Sequence, residues 1–140
     1  VEKAKATQTA LSLIMLDIDD FKIYNDLLGH QAGDSILKEL SAVLREQSRK
    51  MDYVCRYGGE EFTIILPRTE KKEAFLIAER LRMDIAKHKF IREEILPNKK
   101  LTVSLGLATF PENGKSASEL ISSSDKALYE AKRQGKNSAC

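Results

Sequence analysis

Tyr53-Val54-Cys55-Arg56-Tyr57-Gly58-Gly59-Glu60-Glu61-Phe62-Thr63-Ile64-Ile65-Leu66 is the stretch on which the fold turns. Two short strand-like runs, Tyr53 to Tyr57 and Glu61 to Leu66, flank Gly58-Gly59, a dipeptide that tolerates the positive φ angles of a two-residue hairpin turn. The reading is an antiparallel hairpin. Toward the N-terminus, Ile36, Leu37, Leu40, Val43 and Leu44 follow helical spacing between Gly33 and Arg49, with Asp34 placed as the N-cap. Before that helix, Leu-Ser-Leu-Ile-Met-Leu-Asp-Ile from Leu11 is nearly all apolar and too short for a helix, which predicts a strand buried on both faces. Toward the C-terminus, Phe75, Ala78, Leu81 and Ile85 predict a second helix capped by Thr69, and Leu101, Val103, Leu105 and Leu107 alternate as a strand does. Pro111 and Gly114 then break the chain, and Leu120, Ile121, Leu128 and Ala131 predict a third helix that Gly135 stops from the C′ position. The order β-α-β-β-α-β followed by a helix is the ferredoxin-like pattern of an α+β domain, an antiparallel sheet flanked by helices. In that pattern the first strand pairs with the second hairpin strand, so Asp17 shares one sheet edge with Glu60 and Glu61.

A chain of 140 residues is one domain by length, and 42% apolar residues close a core without disulfides or a structural metal. Twenty-three basic against 21 acidic side chains leave +2, which excludes a polycation and, with this composition, intrinsic disorder. Cys55 and Cys140 have no second thiol or histidine at ligand spacing, so neither a disulfide framework nor a zinc site is encoded and a cytoplasmic location is expected. Cys55, inside a predicted strand, reads as a small core residue. No apolar run approaches the ~18–20 residues of a membrane span, so no direct membrane contact is expected. The first residue is Val1, and the domain at residues 1–140 is expected to be a piece of a larger multidomain signalling protein, for which a membrane anchor elsewhere is compatible.

Charge is uneven. Asp17, Asp19, Asp20, Asp26 and Asp34 crowd a stretch where Lys22 is the only cation, while Lys126, Lys132, Arg133 and Lys136 face only Glu130 near the C-terminus. The first region suits cations and the second suits anions. Carboxylates at a strand end and a hairpin tip repel one another unless a positive charge sits among them. Oxygen-only ligands favour Mg²⁺ or Ca²⁺, and without a twelve-residue calcium loop the better fit is Mg²⁺ with a nucleotide. Solvated loop acids are the plainer alternative.

Arg56-Tyr57-Gly58-Gly59-Glu60-Glu61-Phe62, with Leu16-Asp17-Ile18-Asp19-Asp20-Phe21-Lys22 upstream, resembles the GGDEF domain of the diguanylate cyclase family, here in a GGEEF variant. The resemblance continues through Asn25-Asp26, Gly29-His30, Gly33-Asp34, Thr102 to Gly106, Asp125 to Lys132 and Gly135-Lys136-Asn137, and so covers essentially the whole chain. It implies a palm-like, nucleotidyl cyclase-like domain that condenses two GTP into cyclic di-GMP with release of pyrophosphate. It further implies Asp17, Glu60 and Glu61 as catalytic carboxylates and, with the Ile18 carbonyl, as ligands of two Mg²⁺ (or Mn²⁺) ions. Gly58 and Gly59 would let the ribose and α-phosphate approach the backbone, a role compatible with a plain hairpin turn. Asn25 and Asp34 match guanine-reading positions, and one carboxylate accepts from both N1–H and N2–H₂ of guanine. Lys22, Lys132 and Lys136, with backbone amides near Asp20 and Phe21, match triphosphate contacts; at 136 many relatives carry arginine, whereas lysine acts as a point charge. His30 is either a ligand contact or a turn-packing side chain.

Arg49-Lys50-Met51-Asp52 matches the family's inhibitory product site, with Arg80 as a secondary arginine, although an i, i+3 surface pair explains the same spacing. Turnover is implied to need a homodimer of GTP-loaded domains with cyclic di-GMP as an inhibitor. Nothing between Val1 and Ala10 matches the segment that usually precedes the first strand, so the N-terminal edge of the domain is expected to be missing. A catalytically silent receptor for GTP or cyclic di-GMP is the principal rival. Retention of Asp17, Glu60 and Lys132 argues against it, and the +2 charge gives little support to a polymerase-like palm that binds a nucleic-acid polymer.

Overall fold

In the computed structural model, which describes residues 1–140, the strands β1 (Leu11–Ile18), β2 (Tyr53–Gly58), β3 (Glu61–Pro67) and β4 (Val103–Phe110) form one sheet in the order β2-β3-β1-β4. Every pairing is antiparallel. The helices are α1 (Glu2–Thr7), α2 (Phe21–Leu28), α3 (His30–Gln47), α4 (Lys71–Lys87) and α5 (Ala117–Arg133), and two short 3-10 turns lie between α4 and β4. The ferredoxin-like order is the one expected; α1 and α2 are additions to it. None of the helices is long and apolar enough to cross a membrane.

Strand periodicity divides the sheet between two layers. Ile14, Leu16 and Ile18 of β1, Phe62, Ile64 and Leu66 of β3, and Val103, Leu105 and Leu107 of β4 join the main core with the apolar faces of α3 and α4. On the opposite face Leu13, Ala108 and Phe110 pack with Ala4 of α1 and Leu120 of α5. β1 and its neighbour β4 are thus covered on both faces, as a nearly unbroken apolar run requires. Gly106 sits where α5 crosses β4: a Cβ there would lie 2.1 Å from the Leu128 amide nitrogen and 2.3 Å from the Ser124 carbonyl oxygen. Helix α5 therefore rests backbone-close on the sheet. It starts with the Ser116 hydroxyl accepting from the Glu119 N–H (3.2 Å). It ends in a Schellman arrangement, with Gly135 (φ 114°) donating to Lys132 O and Lys136 donating to Ala131 O.

Five local expectations are corrected. The hairpin turn is carried by Gly59 and Glu60 rather than Gly58-Gly59, because Gly58 pairs with Glu61 while Arg56 pairs with Phe62, which leaves Tyr57 as a bulge. Helix α3 begins at His30 with Gly29 in the N-cap position, so Asp34 is an exposed residue of its second turn and not a cap. Helix α4 begins after Glu70, and Thr69 is fully buried with its hydroxyl given to the Pro67 carbonyl. Phe75 is 41% exposed; the buried face of α4 runs through Ala74, Ile77, Ala78, Leu81 and Ile85. Cys55 is exposed, because β2 is the edge strand and Cys55 points away from half-buried Val54.

Candidate active site

The C-terminal end of β1 is where the chain gathers its charge. Asp17 pairs directly with Glu61 across the β1–β3 ladder and with Ser104 across β1–β4, which puts the two carboxylates on one face of the sheet. Glu60 sits beside them in the hairpin turn. Asp17 is buried at 6% exposure. Its Oδ2 accepts from Lys132 Nζ, while Oδ1 is buried with no hydrogen-bond partner. Burial, opposed by Lys132, raises the Asp17 carboxyl above its ordinary range. Burial and then the Asp17 charge raise Glu60 and Glu61 as well. Three carboxylates that each resist ionisation beside one lysine, with an orphan oxygen on the innermost, fit a hard divalent cation bound at Asp17. The side chains alone do not converge into a shell of three ligands.

The basic side chains arrive from the opposite end of the sequence. Because α5 lies on β4 at Gly106, its last turn brings Lys132 to Asp17. The loop after the Schellman turn brings Lys136 to Asp20, with Nζ 2.6 Å from Oδ1. Asp20 keeps the Lys136 ammonium protonated to higher pH than usual. Lys22 is exposed in the first turn of α2, next to the buried ring of Phe21. Gly58 and Gly59 stand exposed with open space where a Cβ would be.

The packing of α2 on α3 sets Asn25 against Gly33, the residue before exposed Asp34. A Cβ at Gly33 would fall 1.8 Å from Asn25 Oδ1 and 3.2 Å from the Phe21 ring, so the Asn25 amide occupies the space that this glycine leaves. That oxygen is the only other buried polar side-chain atom without a partner. Exposed His30 opens α3 at the same end of the helix.

Arg49 and Asp52 do come together, and they bind each other. Arg49 Nε and Nη2 donate to Asp52 (Nη2 to Oδ1, 2.9 Å), Nη2 also donates to Thr69 Oγ1 (2.6 Å), and Nη1 reaches Glu73 at 3.3 Å. The Asp52 carboxylate raises the Arg49 guanidinium's pKa. Arg80 is exposed on α4, two turns beyond Glu73.

Sequence reasoning missed Asp19 and its partners. Asp19 is 4% exposed and accepts from Ser104 Oγ (2.6 Å), Thr102 Oγ1 (2.8 Å) and the Asn137 N–H (3.0 Å). Its sequence signals are membership of the acidic stretch and of the Leu16–Lys22 run, and neither sets it apart from Asp17 or Asp20.

The sequence profile described as "Diguanylate cyclase, GGDEF domain" matches residues 1–138. Diguanylate cyclase A of Treponema denticola is 38% identical over 127 residues, 91% of this chain and 34% of that protein. Diguanylate cyclase DosC of Escherichia coli is 41% identical over 138 residues, 98% of this chain and 29% of that protein. The chain thus spans about a third of the length of the curated relatives it matches. Among solved structures, the active GGEEF domain of a diguanylate cyclase from Vibrio cholerae superposes with a TM-score of 0.89 at 34% identity, covering 99% of this chain and 86% of that one. The GGDEF domain of DgcB from Caulobacter crescentus, in complex with cyclic di-GMP, gives 0.87 at 32% identity, with 99% and 81% covered. A matching profile over nearly every residue, a close superposition over 99% of the chain, and acids and lysines meeting at the end of β1 have one reading: this chain belongs to the diguanylate cyclase GGDEF-domain family.

Proposed function

We propose that the chain is the catalytic domain of a diguanylate cyclase that joins two GTP into cyclic di-GMP. Each ribose 3′-hydroxyl attacks the α-phosphate of the other GTP; a 3′–5′ phosphodiester forms, pyrophosphate leaves and the hydroxyl proton is released. The observation that carries the reading is the unpartnered, buried Asp17 Oδ1 at a sheet end that also carries Glu60 and Glu61 and receives Lys132. Activity in this family is metal-dependent. Asp17, Glu60, Glu61 and the Ile18 carbonyl would hold two Mg²⁺ (or Mn²⁺) ions, which when bound stabilise charge on the attacking and leaving oxygens.

The remaining work falls to the protein's own groups. Lys132, Lys136 and Lys22, with the amides of Asp20 and Phe21, hold the triphosphate; lysine suits this role as a mobile point charge. Asp34 accepts from guanine N1–H and N2–H₂, which adenine lacks in that pattern, and Asn25 supplies a second polar contact; His30 borders the same pocket. The glycine turn leaves open space in which ribose and α-phosphate approach the backbone. Each domain binds one GTP, so turnover requires a homodimer that places two loaded sites face to face. Arg49, Asp52 and Arg80 form an inhibitory site for cyclic di-GMP, with Arg49 reading guanine O6 and N7. The domain works as one unit of a larger cytoplasmic signalling protein and needs no nucleic-acid polymer and no direct membrane contact.

The test is to fuse the domain to a parallel dimeric coiled coil, incubate it with GTP and Mg²⁺, and read products by mass spectrometry. Cyclic di-GMP that disappears in Glu60→Gln is expected. Absence of product with GTP or cyclic di-GMP still binding by calorimetry would replace the cyclase with a silent receptor.

A further inference from the structure

Asp17 and Asp19 are two residues apart, both acidic and both buried, yet their surroundings differ in kind. Asp17 leaves one oxygen without a partner, whereas both oxygens of Asp19 are taken. Asp19 Oδ1 accepts from Ser104 Oγ in β4, and Oδ2 accepts from Thr102 Oγ1 just before β4 and from the Asn137 N–H beyond α5. The Asp19 N–H donates to Thr102 O at 3.0 Å, which fixes the carboxylate's own backbone to the same segment. A buried carboxylate with its oxygens occupied by neutral donors is stabilised without a metal.

We propose that Asp19 is a positioning residue: it clamps the Gly135–Asn137 loop to the end of β1 and so sets where Lys136 stands, without touching metal or nucleotide. This rests on the reading of Lys136 as a triphosphate contact. The loop needs a clamp. Lys136 and Asn137 both hold left-handed backbone (φ 66° and 45°), a conformation that costs non-glycine residues energy and persists where surrounding contacts enforce it. Past Asn137 the chain is stitched to β4, with Leu105 N–H donating to Ser138 O and Cys140 N–H to Leu105 O, both at 2.9 Å. Before Lys136 it is fixed by the Schellman turn. The Asp19–Asn137 bond closes the interval between these anchors, and Asn137 Oδ1 in turn accepts from Arg82 Nη1 of α4 (3.2 Å), which Glu79 holds at 2.9 Å. Lys136 is the residue left projecting, against Asp20.

A clamp needs an acceptor but not a negative charge. Asparagine at 19 retains an oxygen for Asn137 and Thr102 and presents an NH₂ that the Ser104 hydroxyl accepts, whereas alanine loses all three bonds. The experiment is calorimetric titration with Mg²⁺ and 3′-deoxy-GTP, which lacks the attacking hydroxyl and binds without turnover. Asp19→Asn is expected to bind within about threefold of wild type, and Asp19→Ala about tenfold or more weaker, the scale of one lost charge-assisted contact. In a Lys136→Ala background Asp19→Ala is expected to add little, because its effect runs through Lys136. Should Asp19→Ala not fold, Thr102→Val at a half-buried position removes one donor that orients Oδ2; about threefold weaker binding is expected, again absorbed by Lys136→Ala. Asp19→Asn binding as poorly as Asp19→Ala would show that the charge itself is needed and overturn the assignment, as would additive effects of positions 19 and 136. A wild-type chain that does not bind 3′-deoxy-GTP overturns the nucleotide reading, and the assignment falls with it.

Discussion

Gly106→Ala tests whether the placement of α5 on the sheet governs the chemistry at its far end. The new methyl carbon would lie 2.1 Å from Leu128 N, 2.3 Å from Ser124 O and 2.7 Å from Leu128 Cα, all backbone atoms that no rotamer change can move. Ordinary contact begins at 3.4 Å, so α5 must retreat by about 1.3 Å, the difference between 3.4 and 2.1 Å. Overpacking of this kind costs about 1–3 kcal/mol. At about 2.1 cal/mol/K per residue the unfolding entropy of 140 residues is about 0.3 kcal/mol/K, so the melting temperature should fall by about 3–10 °C. Lys132 lies one turn beyond Leu128 and must move with the helix, away from Asp17. A shift of about 1 Å in a positioned group costs up to about 10²-fold in rate. The assays are thermal unfolding by circular dichroism and cyclic di-GMP formation by the coiled-coil dimer well below the melting temperature. An unchanged melting temperature would refute the close packing. A lowered one with undiminished turnover would refute the link from Gly106 through α5 to Lys132.

Asp17→Asn should stabilise the metal-free protein at neutral pH while cutting turnover about 10²–10³-fold. The folded-state pKa of Asp17 is raised, so the folded chain binds more protons than the unfolded one and stability falls as pH rises from the ordinary carboxylate value through the raised one. Urea unfolding in EDTA at pH 4 and pH 7 should show that fall lessened in the variant. Gly33→Ala drives a methyl into Asn25 Oδ1 and should lower kcat/KM for GTP relative to the inosine analogue, which lacks the N2 amine, by about tenfold. Equal loss on both nucleotides would remove Asn25 from reading the N2 amine. Glu73→Gln frees Arg49 Nη1 from an exposed ion pair worth up to about 1 kcal/mol, and should tighten inhibition by cyclic di-GMP about two- to fivefold. Arg49→Ala should abolish that inhibition, and a variant still inhibited by added product would sink the site.

The parts of the fold legible in the sequence are those fixed by burial pattern. β1 and β4 are covered on both faces or alternate cleanly, and Gly135 ends α5 where its conformational freedom is needed. That Asp17 shares a sheet edge with Glu60 and Glu61 followed from the ferredoxin-like strand order with antiparallel pairing; the register that sets Asp17 directly opposite Glu61 is a detail of the ladder. What escaped was set by tertiary partners. Gly58-Gly59 carries the stronger turn signal, yet the ladder keeps Gly58 opposite Glu61 and puts Glu60 into the turn, closer to Asp17. Asp34 looks like a cap only if α3 starts late, and the start at His30 follows from α2, a short helix anchored by just Phe21 and Tyr24. The role of Asp19 depends on an amide 118 residues away, which no local spacing announces.

Read along the chain, acids near the start and lysines near the end look like two separate surfaces. The fold makes them one, because α5 runs back along the sheet toward the end of β1 and seats Lys132 on Asp17 and Lys136 on Asp20. The mixture suits the metal-bound nucleotide of the proposed function. A metal–triphosphate presents cationic and anionic groups a few ångströms apart, so a site of carboxylates alone would repel the phosphates and a site of lysines alone would repel the metal. Asp17 combines both characters in one side chain, with Oδ2 paired to a lysine and Oδ1 buried without a partner, as the proposed cation site requires. Exchanging the charges of the pair, Asp17→Lys with Lys132→Asp, would keep the ion pair and remove the oxygen at the buried position. The double variant should fold and stay inactive at any Mg²⁺ concentration; restored turnover would mean that the pair, and not the orphan oxygen, is what catalysis uses.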